Sequence, residues 1–310
     1  MLHVGAFERV PEIQRSFGNA KPFRHVVMDE FLNPAFCRDL TVEFPAFDAS
    51  HAVNERGERG RKAVIPDLAR IGPAYARFDQ MIRGREFLDL MSRITGIPNL
   101  LYDPEYVGGG THENLDGQDL DPHVDFNYHP GRHWHRRLNL IVFLNPEWQL
   151  DWGGCLELLD SPWTRNGACT TEVIVPVANR AVIFETNERS WHGFRRIQLP
   201  AEKAGLSRRS LAIYLYTKER PAEETAASHG TVYYQRQIGA HVRPGYSLSE
   251  EDVEEIRSLI ERRDQQIKFL YERELEFSSL VSGITRSPSF RVGRALTWPA
   301  RAIRRLFASR

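Results

Sequence analysis

The spacing of hydrophobic positions changes twice along the chain and divides it into three regions. From Phe23, the run His25-Val26-Val27-Met28-Asp29-Glu30-Phe31-Leu32 reads as a strand. Asn33-Pro34 then opens a helix that carries Phe36, Leu40 and Phe44 on one side, with the asparagine as N-cap and the proline in the first turn. Ser50 to Lys62 is charged, holds Gly57 and Gly60 and has little apolar content, which predicts a mobile loop. Tyr75 to Thr95 returns to helical spacing through Phe78, Met81, Ile82, Phe87, Leu88, Leu90 and Met91, and Gly96 is its stop signal. From about Leu101 to Thr217, short apolar runs alternate with Gly, Pro, Asn and Asp clusters. Leu138 to Leu144, Thr171 to Pro176, Ala181 to Phe184 and Ser210 to Tyr216 have the length and the β-branched or aromatic content of strands. Many short strands at this rhythm predict a sandwich or jelly roll. After Glu219 the chain turns polar. Val253, Ile256, Ile260, Ile267, Leu270 and Phe277 then recur at near-heptad spacing in a charged helix, with Arg263 and Glu274 at positions a coiled coil fills with apolar side chains.

Composition changes this picture little. A length of 310 residues is ample for a buried core, and 41 basic side chains balance 41 acidic ones, so nothing in the overall charge argues for nucleic acid as a partner. Cys37, Cys155 and Cys169 show no CxxC spacing, so neither a disulfide framework nor a zinc site is indicated, and a reducing cytoplasm is the expected compartment. Met1 to Val10 is too polar for a signal peptide, and no apolar run approaches the roughly 18 residues of a membrane span. Only Gly283 to Arg310 is strongly biased, with arginines, no acidic residue, and Trp298, Ile303, Leu306 and Phe307 interspersed. A helix from Pro299 onward would be basic and amphipathic, suited to peripheral contact with an anionic membrane surface or to an acidic partner.

Candidate chemistry is concentrated in the strand-rich region. In Asp121-Pro122-His123-Val124-Asp125 the residues at i and i+2 of an extended strand face the same way, so His123 and Asp125 can offer an imidazole and a carboxylate to one ion. His192, in Trp191-His192-Gly193-Phe194, would complete a facial two-histidine, one-carboxylate triad that leaves three positions open on a non-haem Fe(II). His129, His133 and His135 lie close together beside Pro130 and Gly131 and are expected in a surface loop, with the substrate entrance as the other reading. Gly153-Gly154 predicts a turn or a close backbone approach.

Taken in order, Leu120 to Asp125, Arg137 to Asn145, Trp152 to Leu158, Asn179 to Phe184, His192 to Ile197 and Arg208 to Tyr214 resemble the Fe(II)- and 2-oxoglutarate-dependent dioxygenases, in particular the prolyl-4-hydroxylase-like branch. The resemblance covers roughly residues 100 to 220, with a fainter similarity from Phe23 to Pro45. It implies a mainly β, α+β fold with a double-stranded β-helix (jelly-roll, cupin-like) core, N-terminal supporting helices and a long C-terminal helix. It also implies hydroxylation of a substrate C–H bond with decarboxylation of 2-oxoglutarate to succinate, using Fe(II), 2-oxoglutarate and O2, with ascorbate as an accessory reductant. In this pattern Arg208 binds the distal carboxylate of 2-oxoglutarate, because a planar guanidinium bonds a carboxylate bidentately. Ser210 shares the face of Arg208, while Arg209 is the alternative anchor if the register slips by one. Asn139 takes the place of a residue that orients the co-substrate, and Phe143 stands where some relatives have tyrosine.

The resemblance leaves the substrate open between a polypeptide, a small molecule and a glycan-linked molecule. Ser287-Pro288-Ser289-Phe290-Arg291-Val292-Gly293-Arg294 is similar to tails of bacterial surface-polysaccharide glycosyltransferases and points towards the last. The competing reading is a non-catalytic jelly-roll protein that binds a metal or ligand or acts as a scaffold. The expected organisation is a dioxygenase domain over 1–221 with its jelly-roll core at about 100–218, a linker over 222–248, an amphipathic helix over 249–282 that pairs as a coiled coil in a homo-oligomer, and a basic tail over 283–310.

Overall fold

Asn33 accepts hydrogen bonds from the backbone N–H groups of Ala35 and Phe36, and the helix it caps belongs to a layer of short helices packed on one side of a β-sandwich. The structure, a computed structural model, describes residues 1–3, 5–52, 62–163, 171–239 and 241–297. It forms two compact units, Met1–Tyr234 and Gln235–Arg310. The helices are α1 (Gly5–Glu8), α2 (Val10–Asn19), α3 (Pro34–Val42), α4 (Pro73–Ile82), α5 (Arg85–Thr95), α6 (Glu250–Arg286) and α7 (Pro288–Leu296). The strands are β1 (His25–Met28), β2 (Lys62–Ile65), β3 (Leu101–Tyr102), β4 (Gly110–Asn114), β5 (Leu120–Val124), β6 (His135–Phe143), β7 (Leu156–Leu159), β8 (Thr171–Ile174), β9 (Ala181–Glu185), β10 (Trp191–Phe194), β11 (Arg208–Thr217) and β12 (Val232–Tyr233).

Among the described residues all pairings between these strands are antiparallel. The larger sheet runs β1-β9-β6-β11-β4-β2, with β3 also on β11, and the smaller runs β12-β5-β10-β7-β8. This is the expected mainly β fold with flanking helices. Alternation along β6 and β11 explains the layering: Leu138, Leu140 and Val142, with Leu211, Ile213 and Leu215, join the core shared with α2 to α5. The residues between them face the other way, and Phe143 meets Leu156 and Leu158 of the smaller sheet in a second cluster. Buried on both faces, these central strands read as nearly continuous apolar runs.

Some elements differ from expectation. The helical stretch from Tyr75 to Thr95 is two helices: α4 closes at Arg83, and Gly84, a poor helix former, starts α5. Gly96 stops α5 with φ of 73°, as its position predicts. The expected loop from Ser50 to Lys62 begins with a 3-10 turn, and Lys62 already belongs to β2; residues 53–61 lie outside those described. Within the stretch expected as a linker, β12 pairs with β5 and the Tyr234 N–H donates to the Pro122 carbonyl, so ordered structure continues past residue 221.

In the second unit, Ser249 and Asp252 form a reciprocal capping box that starts α6, and His241 and Tyr246 also bond the Asp252 carboxylate. Among the described residues no helix is long and apolar enough to cross a membrane. Cys37 and Cys155 are free and buried. Cys169 and the tail residues Trp298, Ile303, Leu306 and Phe307 lie outside the described residues.

Candidate metal centre

The pairing of β5 with β10 sets His123 directly opposite His192, and Asp125 follows one residue after β5 ends. One donor atom from each of the three side chains lies within 4.8 Å of the other two. His192 Nε2 is 3.5 Å from Asp125 Oδ2, and His123 Nε2 is 3.8 Å from Asp125 Oδ1. The backbone decides which ring nitrogen is free. His123 Nδ1 lies 3.0 Å from the Asp121 carbonyl and His192 Nδ1 2.9 Å from the Ser190 carbonyl. A carbonyl oxygen only accepts, so each Nδ1 carries the proton and each Nε2 turns a lone pair towards the centre.

Burial, together with the neighbouring His192, pushes the His123 imidazole down to about 3, and burial lowers His192 as well, so both rings are neutral. Burial alone would raise the Asp125 carboxyl. Arg136, the two histidines and a hydrogen bond from Asn139 outweigh it and hold Asp125 well below the usual carboxylate range. Two neutral imidazoles and one ionised carboxylate, with no fourth protein ligand in the cluster among the described residues, fit an open Fe(II) site better than closed structural zinc.

The opposite sheet fixes the carboxylate. Asn139 on β6 donates Nδ2 to Asp125 Oδ2 at 2.8 Å, and Arg136 reaches the same oxygen at 3.0 Å. Arg136 also donates Nε and Nη2 to Asn139 Oδ1 and lies 3.5 Å over the Tyr214 ring. With both Asn139 amide groups engaged in this way, the side chain orients the candidate metal ligand. Arg136, the largest fully buried side chain among the described residues, was not picked out from the sequence, where it stands beside His135, Arg137 and Asn139 at the polar start of β6. Lys62 at the start of β2 and Tyr233 on β12 were also missed. The positive charge of Lys62 contributes to lowering His123 and His192, and the Tyr233 ring lies 5.2 Å from that of His123.

Arg208 and Arg209 separate as alternation requires. Arg209 is half-buried and donates Nε to Glu113 Oε1 and Ser207 Oγ. Arg208 is buried, donates Nε to the Gly154 carbonyl at 2.6 Å and has no carboxylate partner among the described residues. Its guanidinium lies 4.3 Å over the Phe194 ring and 5.2 Å from that of Phe143, and burial lowers its pKa to about 10. Phe194 is two residues from His192 on β10, on the same face of that strand, so Arg208 and the candidate metal centre are held against the same strand. Ser210, also buried, shares the Arg208 face of β11. Gly154 adopts a φ of 66°, and a Cβ there would stand 3.3 Å from Arg208 Cδ, so the close backbone approach expected of Gly153-Gly154 seats the arginine.

His129 departs from the surface-loop expectation. It is fully buried, Nε2 lies 3.1 Å from Asp103 Oδ1, and Nδ1 accepts from the Gly131 N–H. His133 is exposed and His135 is half-buried at the start of β6, and neither joins the metal cluster.

Residues 110–216 match the 2OG-Fe(II) oxygenase superfamily. This span opens with β4 and closes within β11, so it contains His123, Asp125, Asn139, His192, Arg208 and Ser210. No curated protein matches the chain. Similar solved structures include a prolyl hydroxylase from Trichoplax adhaerens in complex with a hypoxia-inducible factor peptide fragment, at 16% identity and TM-score 0.48 over 70% of this chain and 94% of that one. A prolyl-4-hydroxylase from Pseudomonas putida aligns at 18% identity and TM-score 0.43, over 67% of this chain and 100% of that one. HygX from Streptomyces hygroscopicus, with nickel, 2-oxoglutarate and hygromycin B bound, aligns at 15% identity and TM-score 0.46, over 72% and 95%.

Proposed function

We propose that the chain is an Fe(II)- and 2-oxoglutarate-dependent dioxygenase that hydroxylates a C–H bond of its substrate. The observation that carries this reading is the pairing, in one sandwich interior, of a three-ligand cluster with a buried guanidinium that has no carboxylate partner among the described residues. His123, Asp125 and His192 would hold the ion through Nε2, a carboxylate oxygen and Nε2, and Arg208 would take the distal carboxylate of 2-oxoglutarate, with Ser210 beside it. When bound, iron and 2-oxoglutarate supply the oxidative chemistry: one atom of O2 enters the substrate C–H bond and the other enters succinate as carbon dioxide leaves. The protein's own part is orientation. The Asp121 and Ser190 carbonyls fix the imidazole tautomers, Arg136 and Asn139 fix the carboxylate, and the aromatic rings around Arg208 keep its surroundings dry, which strengthens its bond to an anion.

The substrate is a polypeptide, small molecule or glycan-linked molecule in a cytoplasmic setting, and the unit Met1–Tyr234, which extends the expected domain of 1–221 by the strand β12, carries the catalytic function. Succinate formation tests the reading. Wild-type protein should produce succinate from 2-oxoglutarate in an Fe(II)-dependent manner, faster in the presence of its substrate. Asp125→Ala should lose both metal binding and turnover. Equal succinate production by wild type and Asp125→Ala would refute the triad.

A further inference from the structure

The long helix of the second unit carries a stripe with an unusual internal symmetry. From Val253 to Ile284 its positions follow one another at alternating steps of three and four residues, the spacing of a coiled-coil seam, and every position is apolar except Arg263 and Glu274. Much of the stripe is open to solvent: Ile260 is 52% exposed, Leu270 56% and Phe277 68%. Arg263 is half-buried and steadied by donating Nη2 to the Arg236 carbonyl at 2.6 Å, and Glu274 is exposed.

We propose that α6 pairs with α6 of a second copy of this chain, antiparallel and centred between Lys268 and Phe269. Only one antiparallel register sets Arg263 against Glu274, and it does so twice, once in each direction. That same register places every other seam position opposite an apolar one: Val253 faces Ile284, Ile256 faces Val281, Ile260 faces Phe277 and Ile267 faces Leu270. A parallel, in-register pair would instead set arginine on arginine and glutamate on glutamate inside the seam. Polar seam positions are the usual means by which coiled coils select register and orientation.

Charge along α6 and the α7 segment that follows it favours the same direction. Glu250 to Glu255 holds five acidic residues and no basic one, whereas Phe277 to Thr297 holds Arg286, Arg291 and Arg294 and no acidic residue. Antiparallel pairing brings the acidic end of each chain to the basic end of the other, while parallel pairing would stack like ends. The two flaws in the seam are thus complementary halves of one interface.

Sedimentation equilibrium on the full chain tests the pairing. The wild type should dimerise. Arg263→Glu, which creates two glutamate pairs in the seam, should weaken the dimer by about tenfold or more. The exchange Arg263→Glu/Glu274→Arg should restore it to within a few-fold of wild type. In a parallel dimer Arg263→Glu would only replace one like-charge pair by another. Electron–electron distance measurement provides an independent readout, using a spin label at Glu254→Cys in a Cys169→Ser background, since Cys37 and Cys155 are buried. The antiparallel register puts the two labelled backbones about 44 Å apart and a parallel one about 10 Å. A monomeric wild type, a dimer indifferent to Arg263→Glu, an exchange that fails to restore association, or the short distance would each overturn the proposal.

Discussion

Arg208→Met is the most informative single change, because affinity and stability should respond to it differently. In the native protein Arg208 is 4% exposed, and its guanidinium is bonded through Nε to the Gly154 carbonyl. Burial pulls its pKa from 12.5 to about 10, roughly 3 kcal/mol against the charged form, and the side chain remains charged at neutral pH, so the folded protein carries this cost throughout its working range. A carboxylate bonded bidentately adds two charge-assisted hydrogen bonds of about 1.5–3 kcal/mol each. Their loss should weaken 2-oxoglutarate binding by about 10²- to 10⁴-fold. Without co-substrate the variant sheds the buried charge but loses the Nε bond, about 1 kcal/mol, and leaves a carbonyl unpaired, about 1–3 kcal/mol, so stability should change by only about 1 kcal/mol. Calorimetric titration of 2-oxoglutarate into anaerobic, Mn(II)-loaded protein measures the first effect and urea unfolding of the apoprotein the second. Arg209→Met is the control: having lost its bonds to Glu113 and Ser207, it should be destabilised by about 1–2 kcal/mol with unchanged 2-oxoglutarate affinity. Wild-type affinity in Arg208→Met, together with lost affinity in Arg209→Met, would show that the anchor was assigned to the wrong side of β11.

Asn139→Ala removes the 2.8 Å bond to Asp125 and the acceptor of two Arg136 donors, so Co(II) affinity should fall by about 10- to 100-fold while 2-oxoglutarate still binds whatever protein is metal-loaded. Unchanged Co(II) affinity would mean that Arg136 alone fixes the carboxylate. Acid sensitivity follows from the neutral imidazoles: below about pH 6.5 the unfolded chain takes up protons at His123 and His192 that the native metal-free protein refuses, so stability falls with decreasing pH, by up to about 1.4 kcal/mol per unit for each ring, towards the depressed native values. Urea midpoints at pH 7.5, 6.5 and 5.5 should fall slightly across the first interval and more steeply across the second, and a level profile throughout would contradict the buried neutral pair.

Local physics made much of this protein legible from its residues. The Asn33 cap, the Gly96 stop, the strand-length apolar runs and the i, i+2 placement of His123 and Asp125 depend on backbone geometry within a few residues, which sequence encodes directly. The stretch from Tyr75 to Thr95 kept its helical period through Gly84, because periodicity records which face is buried and is blind to a one-residue break. Burial of charge was not legible. Arg136 and His129 look like ordinary polar residues in the chain, and only the closing of one sheet over the other removes them from water and obliges Asp125, Asn139 and Asp103 to pair with them. The ring tautomers are set locally, by the carbonyl two residues before each histidine, whereas Arg208 differs from Arg209 through its seat against the distant Gly154 and Phe194. Sequence alone determined the elements and the set of candidate ligands, whose constraints are local. Tertiary structure decided their protonation, orientation and charge partners, because those depend on which distant strands exclude water from them.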